Sequence, residues 1–539
     1  MKLQDLVTLL LSNPGLFLDK IKHQIGVPSL NVKRIISHNK KVWSDYKNSN
    51  AESIILFDYY PLAETELARS YLLNILAKKF NARIVSYSVN KKIRCRIWDR
   101  IYHSYNVESH LNFKLSRWQK KESHLIYAKI TPTIQTKQDL FDLHIHDVWI
   151  GVDVYEEYLM RHTKPTVDIT DKRLMIILKE AIDMLVFFID YLKNNNVKAI
   201  DSSHLGVRLK SNLIPKIAGQ LFNIPYYTAH SRSLVFLPKP HLFGKEEGRK
   251  FSNYHKNFLK LPEKKQAYGI AWAKGRIEKR LSGEVGVDMA YSTKSAFSKA
   301  SNSTSLVKRS DKTKVLVCAH EFYDSPNCYG DLLFMDFYEW LLYLAEISAN
   351  TDYDWYIKTH PDVLPLTEKV IQKFVKDNNM FTIVPANTSF HQLAKDGISH
   401  ILTCYGSVGH ECPLLGMTVI NAGNNPHMAY DFNYHPKSLE EYENLLLNLS
   451  VVNKKINIDD IYEFYYMHYN AVGIISDDWF FASHEKMLLD LTESERIGFE
   501  IFPYFLKALT PEKHQKIIST MQRYVDSQRV GVATKETIS

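Results

Sequence analysis

The chain has 539 residues, of which 45% are hydrophobic and 24% charged, a profile that excludes a disordered or fibrous chain and implies more than one folded core. Lys and Arg number 68 against 59 Asp and Glu, a formal charge of +9, which suits anionic partners better than cationic ones. The five cysteines (Cys95, Cys318, Cys328, Cys404 and Cys412) are scattered and form no CxxC pair, which argues against a disulfide framework or a cysteine zinc site and for a reducing compartment.

The N-terminal run "MKLQDLVTLLLSNPGLFLDKIKHQI" places Gln4 and Asp5 where a signal peptide needs apolar residues, and Pro14-Gly15 interrupts it. It reads as a packing helix, or as a short interfacial amphipathic one. Nothing approaches the roughly eighteen apolar residues of a membrane span. A cytoplasmic protein is expected, with peripheral contact at the inner face of the membrane left open.

"SIILFDYYPL" has a buried-strand pattern, "AETELARSYLLNILAKKFN" helical spacing, and "ARIVSYSV" a second strand, which together predict a β-α-β unit and a parallel sheet. A helix is predicted from Leu174 to Lys193, a strand at "VKAIDSS", a helix at "RLKSNLIPKIAGQLFN" and a strand at "IPYYTAH". The Ser- and Lys-rich stretch after Ser292 lacks apolar periodicity and reads as a linker. Alternation then resumes: strands at "KVLVCAH", "DWYIKTH", "FTIVPA", "SHILTCY" and "TVINAG", with helices between them. Five strands with crossover helices predict a doubly wound domain. "SQRVGVATKETIS" reads as a frayed tail. The expected division is a helical extension (1–49), a first α/β domain (50–291), a linker (292–312), a second α/β domain (313–436) and C-terminal helices with a tail (437–539).

Basic residues are uneven along this order. From Lys78 to Lys121 there are twelve Lys/Arg and two acids, and from His241 to Arg280 eleven and four. Such stretches suit phosphates, anionic glycans or lipid headgroups, and equally a solvated face. No aromatic-basic motif of a nucleic-acid module accompanies them, so nucleic acid is not an expected partner.

Open α/β sheets bind ligands in the loops after their strands, and four such loops carry polar side chains. "AHEFYDSPNCYG" offers His320, Glu321 and Asp324 as parts of a general base; the same loop suits an Asx turn capped by Asp324. In "IKTHPD", Pro361 stiffens the chain beside His360, which suits a phosphate contact, and Lys358 stands two residues earlier. In "CYGSVGHECPLLG", Gly406 and Gly409 permit close backbone approach, Ser407 suits a helix N-cap, and Glu411 suits either the helix dipole or ribose hydroxyls. The pattern is neither GxGxxG nor GxxxxGK[ST]. "NAGNNPH" adds Asn424, Asn425 and His427 for sugar hydroxyls, or a plain Asn-rich turn. The one DxD triplet, Asp352-Tyr353-Asp354, opens a predicted strand and does not stand in a loop after one, and no HExxH spacing occurs, so no metal and no cofactor is expected.

With these loops in order, the chain resembles the bacterial capsule polysaccharide biosynthesis glycosyltransferases of the GT-B fold, a group that includes Kdo- and sialyl-type transferases. "YDWYIKTHP" resembles their His-Pro motif and "CYGSVGHECPLLGMTVINAG" their Ser/Thr loop and helix; "HEFYDSP" with "FMDFYEWL", "WIGVDVYEEYLMRHTKPTVD" and the first β-α-β unit are similar to surface-polysaccharide members. The resemblance covers most of residues 50–445. It implies two Rossmann-like doubly wound domains facing a cleft, with extra terminal helices. It also implies that His360 contacts a donor phosphate, that Ser407 or Thr403 contacts it from the other side, and that Glu411 holds the ribose. Their acidic first-domain base has no clean equivalent here; Glu64, Asp153 and Asp201 are first-domain candidates beside Asp324.

The expected function is transfer of a sugar from a CMP-ulosonic acid or a UDP/GDP-sugar to a glycan or lipid-linked acceptor. Lys91, Lys92, Arg94 and Arg96 are candidates for the acceptor side, and polysaccharide assembly proteins are further partners to consider. Two alternatives stand beside this: an epimerase of the UDP-GlcNAc 2-epimerase type, which needs no acceptor surface, and a scaffold of the assembly machinery without chemistry.

Overall fold

The computed structural model describes residues 27–47, 51–89, 95–203, 205, 209–230, 234–242, 250–289, 292–297, 307–323, 325–328, 330, 332–471 and 498–532. The expected N-terminal helix, Asp324 and the basic residues Lys91, Lys92 and Arg94 lie outside them.

Two sheets organise the described chain. The first contains β1 (Ser53–Asp58), β2 (Ala82–Ser88), β3 (Val107–Asn112), β6 (Val197–Asp201), β7 (Tyr226–Ala229), β8 (Leu234–Leu237) and β14 (Gly531–Val532), in the order β14-β8-β7-β6-β1-β2-β3. Its members from β7 to β3 run parallel, and β8 and β14 add antiparallel pairings at the edge. A small hairpin, β4 (His144–Ile145) with β5 (Val148–Trp149), stands apart. The second sheet contains β9 (Lys314–Cys318), β10 (Asp354–Lys358), β11 (Phe381–Val384), β12 (His400–Thr403) and β13 (Thr418–Asn421), all parallel, in the order β11-β10-β9-β12-β13. Both are Rossmann-like α/β sheets, as the alternating strand and helix patterns predict.

The strands are apolar on both faces because helices cover both faces of a parallel sheet. Every residue of β10, β12 and β13 is buried. Helix Phe337–Ala349 starts at Asp336, whose carboxylate accepts the Tyr338 and Glu339 N–H groups at 2.8 Å. It buries Trp340, Leu341 and Leu344 against β9 and β10.

The linker and the C-terminus depart from the sequence expectation. The described parts of the linker stretch are anchored: Phe297 and Val307 are buried in the core beneath the second sheet, and the Phe390 N–H donates to the Ala296 carbonyl at 3.0 Å. The expected frayed tail supplies β14 at Gly531–Val532. Before it, helix Pro511–Ser527 sets Ile517, Met521, Tyr524 and Val525 into the core of the first sheet. No described helix is long and apolar enough to cross a membrane.

Strand order reverses once in each sheet, between β1 and β6 and between β9 and β12. Loops on either side of such a reversal splay apart at the carboxyl edge and leave a crevice. The two crevices are built very differently.

Candidate functional site

A cavity of about 570 Å³ opens at the carboxyl edge of the second sheet. Its walls come from the loops after β9 (Cys318–Glu321), β10 (Lys358–Asp362) and β12 (Thr403–Glu411), together with Arg280, Phe390, Phe464 and Tyr469. All described lining residues come from Arg280 onward; the first sheet contributes none.

The reversal between β9 and β12 is pinned by His320. Its Nε2 accepts the Cys404 N–H at 3.1 Å and lies 3.0 Å from the Thr403 hydroxyl, which itself accepts the Gly406 N–H at 3.2 Å. The ring lies against Phe337 and Tyr405, with centroids 4.8 Å away in each case. Burial pushes its pKa down to about 3, with His360 adding to the effect. A neutral imidazole whose Nε2 is occupied carries its proton on Nδ1. His320 thus stands as a neutral ring whose Nε2 is already engaged, and the Thr403 hydroxyl is engaged within the wall.

Glu321 is engaged as well. Its carboxylate accepts the Leu364 N–H at 2.9 Å and the Thr367 hydroxyl at 2.5 Å, and so holds the start of helix Pro365–Asp377. Asp362 accepts the Thr293 N–H at 3.0 Å and its hydroxyl. Glu411 is 2% exposed, ion-paired with Arg280 Nε, and accepts the Ser407 hydroxyl at 3.1 Å. Ser407 therefore does not cap the helix.

The glycine loop leads into a single α-turn, Val408–Glu411, and a 3-10 turn, Pro413–Leu415. The N–H groups of Gly409, His410 and Glu411 are used within that turn, on the carbonyls of Gly406 and Ser407. An extended helix dipole aimed at a ligand, expected from the sequence, is absent among the described residues of this loop; the Ser407 and Val408 N–H groups make no hydrogen bond among them. Gly409 has a packing cause. A Cβ there would stand 2.4 Å from Cε1 of His427. At Gly406 a Cβ would stand 3.1 Å from the Thr403 hydroxyl and 3.5 Å from His320.

Asn425 is wholly buried outside the cavity wall. Its amide donates to the Gly423 carbonyl at 2.9 Å, lies 3.0 Å from Nδ1 of His435, and its oxygen accepts the His427 N–H at 2.8 Å. It is a turn residue, not a sugar reader.

His360, Pro361 and Lys358 do line the cavity. The Asp362 N–H donates to Nδ1 of His360 at 3.0 Å, which leaves the ring proton on Nε2. Burial lowers its pKa below the usual histidine value, against the pull of Asp362. Lys358 is 2% exposed; its ammonium donates to the Ala386 carbonyl at 2.7 Å and lies 5.1 Å from the Phe390 ring centroid. No carboxylate lies within 4.0 Å of it among the described residues. Burial pushes its pKa down to about 8.

Three residues escaped the sequence reading. Arg280, at the end of helix Glu263–Leu281, lies within the second basic stretch, which was its only signal. His410 and Phe464 form an imidazole-aromatic wall with His427: Nδ1 of His410 lies 3.1 Å from Nε2 of His427, and ring centroids of Phe464 lie 5.1 and 4.5 Å from the two. The aromatic run "YEFYYMHY" was the available clue.

The first-domain acids are engaged elsewhere. Asp201 pairs with buried Arg69 at 2.8 Å, and Asp153 with Lys216 at 2.8 Å. Glu64 sits in the first turn of helix Ala63–Lys79. Neither Asp201, Asp153 nor Glu64 lines the cavity.

No protein-family model matches the sequence, and no curated protein sequence matches it. Among solved structures, the chain is similar to KpsC of Thermosulfurimonas dismutans, a beta Kdo 2,4 transferase, with 13% identity over 50% of this chain and 79% of that one and a TM-score of 0.29. UDP-GlcNAc 2-epimerase from Neisseria meningitidis, bound to UDP-GlcNAc, aligns over 77% of this chain and 96% of its own at 11% identity and a TM-score of 0.22. The S. aureus MnaA–UDP structure aligns over 85% and 97% at 13% identity and a TM-score of 0.19. Likeness this low carries no weight on function, and the fold stands on the two sheets themselves.

Proposed function

We propose that the cavity at the second sheet is a nucleotide-sugar site and that the protein is a glycosyltransferase of surface polysaccharide biosynthesis. One observation supports this above the others: the hydrogen-bond donors on the wall are left over while the buried acceptors are spent. Glu321, Asp362 and Glu411 are each satisfied by protein donors, and Glu284 is exposed. The Lys358 ammonium makes no ion pair among the described residues, Glu411 acting on it only from beyond contact distance, and the ring N–H groups of His320 and His360 make no hydrogen bond among them. A buried cation without a counter-charge is costly, and a bound anion removes that cost. A diphosphate or phosphodiester between Lys358, His360 and His320 supplies several acceptor oxygens at once.

In this reading Lys358 balances the charge that builds on the leaving nucleotide, His360 donates to it from Nε2, and His320 donates from Nδ1. Arg280 and Ser407 each engage one oxygen of the Glu411 carboxylate, and only its remaining lone pairs are left for ribose hydroxyls. Of the described wall acids only Glu284 has an unengaged carboxylate, so the base comes from Glu284, from Asp324, from residues across the cavity mouth, or from the substrate itself.

Calorimetric titration with CMP, UDP and GDP, on the native protein and on His360→Ala, tests the site. Binding of one nucleotide, weakened at least tenfold in the variant, supports it; no binding by any of the three overturns it. Incubation with the matching sugar nucleotide then separates chemistries. Slow release of free sugar fits a transferase leaking to water, whereas an isomeric sugar or glycal identifies an epimerase. An unchanged donor in the presence of good binding leaves a scaffold.

A further inference from the structure

We propose that the outward face of helix Arg117–Ile130, on the first half of the chain, docks on an anionic lipid bilayer. The helix starts with a capping box, Ser116 accepting the Gln119 N–H and Gln119 accepting the Ser116 N–H. Beyond this cap, its polarity is partly inverted for a surface helix. Gln119 and Ser123 point inward: Gln119 donates to Asp190 at 2.8 Å and Ser123 to Asp183 at 2.5 Å, both on helix Lys172–Asn194. Ile126, Tyr127 and Ile130 complete the inner face.

Trp118 and Leu125 point outward, 53% and 57% exposed. Seven residues apart, they share one stripe of the helix surface. Lys114, Arg117, Lys120, Lys121 and Lys129 are exposed around them, and Glu122, half-buried, is the single acid between Lys114 and Ile130. An indole and a leucine ringed by cations match the boundary between lipid headgroups and acyl chains, where tryptophan settles and lysine stems reach back to phosphate. A hydrated anionic glycan would satisfy the lysines and leave Leu125 in water. Because no described helix can cross a bilayer, the contact would be peripheral. It is independent of the nucleotide-sugar reading.

The test is sedimentation of the full chain with large vesicles of phosphatidylcholine alone or with phosphatidylglycerol added. The expected result is pelleting with the anionic vesicles, at least tenfold weaker for Trp118→Ser/Leu125→Ser and for Lys120→Glu/Lys121→Glu, with nucleotide titration unchanged in both variants. The charge variant removes no buried contact, so it reads the surface even if the apolar variant melts early. Native protein left in the supernatant with anionic vesicles overturns the proposal. So does equal pelleting of either folded variant, or a Trp118-dependent dimer in gel filtration.

Discussion

At the reversal between β1 and β6, the Arg69 guanidinium is wholly buried and meets Asp58 at 2.6 Å, Glu66 at 2.7 Å and Asp201 at 2.8 Å. At the reversal between β9 and β12, the corresponding space is a cavity, and the nearby buried cation, Lys358, makes no ion pair with an acid among the described residues, Glu411 being engaged by Arg280 instead. Among the described residues, the first crevice is tied together by its own charges. Ser203 ties the loop after β6 to Asp58 through its N–H at 3.0 Å and its hydroxyl at 2.7 Å, and Tyr105 donates to Glu66 at 2.8 Å. Three carboxyls around one cation leave excess negative charge, and burial raises Glu66 to about 7 and Asp201 to about 6. The second crevice keeps unsatisfied donors instead. The contrast teaches that one sheet topology serves either as a structural lock or, as proposed for the second sheet, as an anion site, according to whether the counter-charge is built in.

That contrast can be broken most forcefully at Arg69. Arg69→Met leaves buried carboxyls without their cation, and a loss of roughly 3–5 kcal/mol in urea unfolding is expected. A loss under about 1 kcal/mol would mean that the lock is already mostly uncharged. Next in size is Gly409→Ala, whose Cβ must displace His427. About 1–3 kcal/mol of destabilisation is expected from overpacking, together with weaker nucleotide binding; an unchanged melting temperature would remove the packing explanation for this glycine.

Lys358→Met sharpens the comparison from the other side. Stability at neutral pH should hold or rise, because the buried ammonium costs the fold free energy, while nucleotide affinity falls at least tenfold, about 1.4 kcal/mol. The pH dependence has a definite sign. The free protein loses the Lys358 ammonium as pH rises through about 8, so affinity falls above that pH by up to about tenfold per unit, and the Met variant loses this slope. Stability moves oppositely: the fold favours the neutral amine, so this group's contribution rises from about pH 8 towards its unfolded value. A pH-independent native titration between about 7 and 9.5 would show that Lys358 does not meet the anion.

The smallest effect is expected at Glu321→Gln. Its carboxylate accepts the Leu364 N–H and the Thr367 hydroxyl, so the change should cost about 1 kcal/mol and leave turnover within a few fold. A collapse of kcat with normal stability would return Glu321 to the role of base.

Local pattern carried much of the fold. Continuous apolar runs such as "KVLVC", "DWYIK" and "TVIN" mark strands covered on both sides, and helical spacing between them leaves little choice but parallel α/β sheets. The loops holding Lys358, His360 and Ser407 were readable for the same reason, since loops after parallel strands collect at one edge. Long-range geometry was not readable. The return of Pro511–Ser527 and Gly531–Val532 to the first sheet depends on surfaces hundreds of residues away. Nothing next to Gly409 in the chain announces His427, and nothing next to Glu411 announces Arg280. Whether a polar side chain is spent or free is likewise a tertiary property. His320 and Glu321 look alike as candidates in "AHEFYD", yet a backbone N–H from Cys404 consumes one nitrogen of the first and a distant helix start consumes the carboxylate of the second. Sequence alone determined which residue types stand at the sheet edge, because strand periodicity is local. Only the tertiary structure decided which of them keep an unpaired proton, because hydrogen-bond partners arrive from anywhere in the chain.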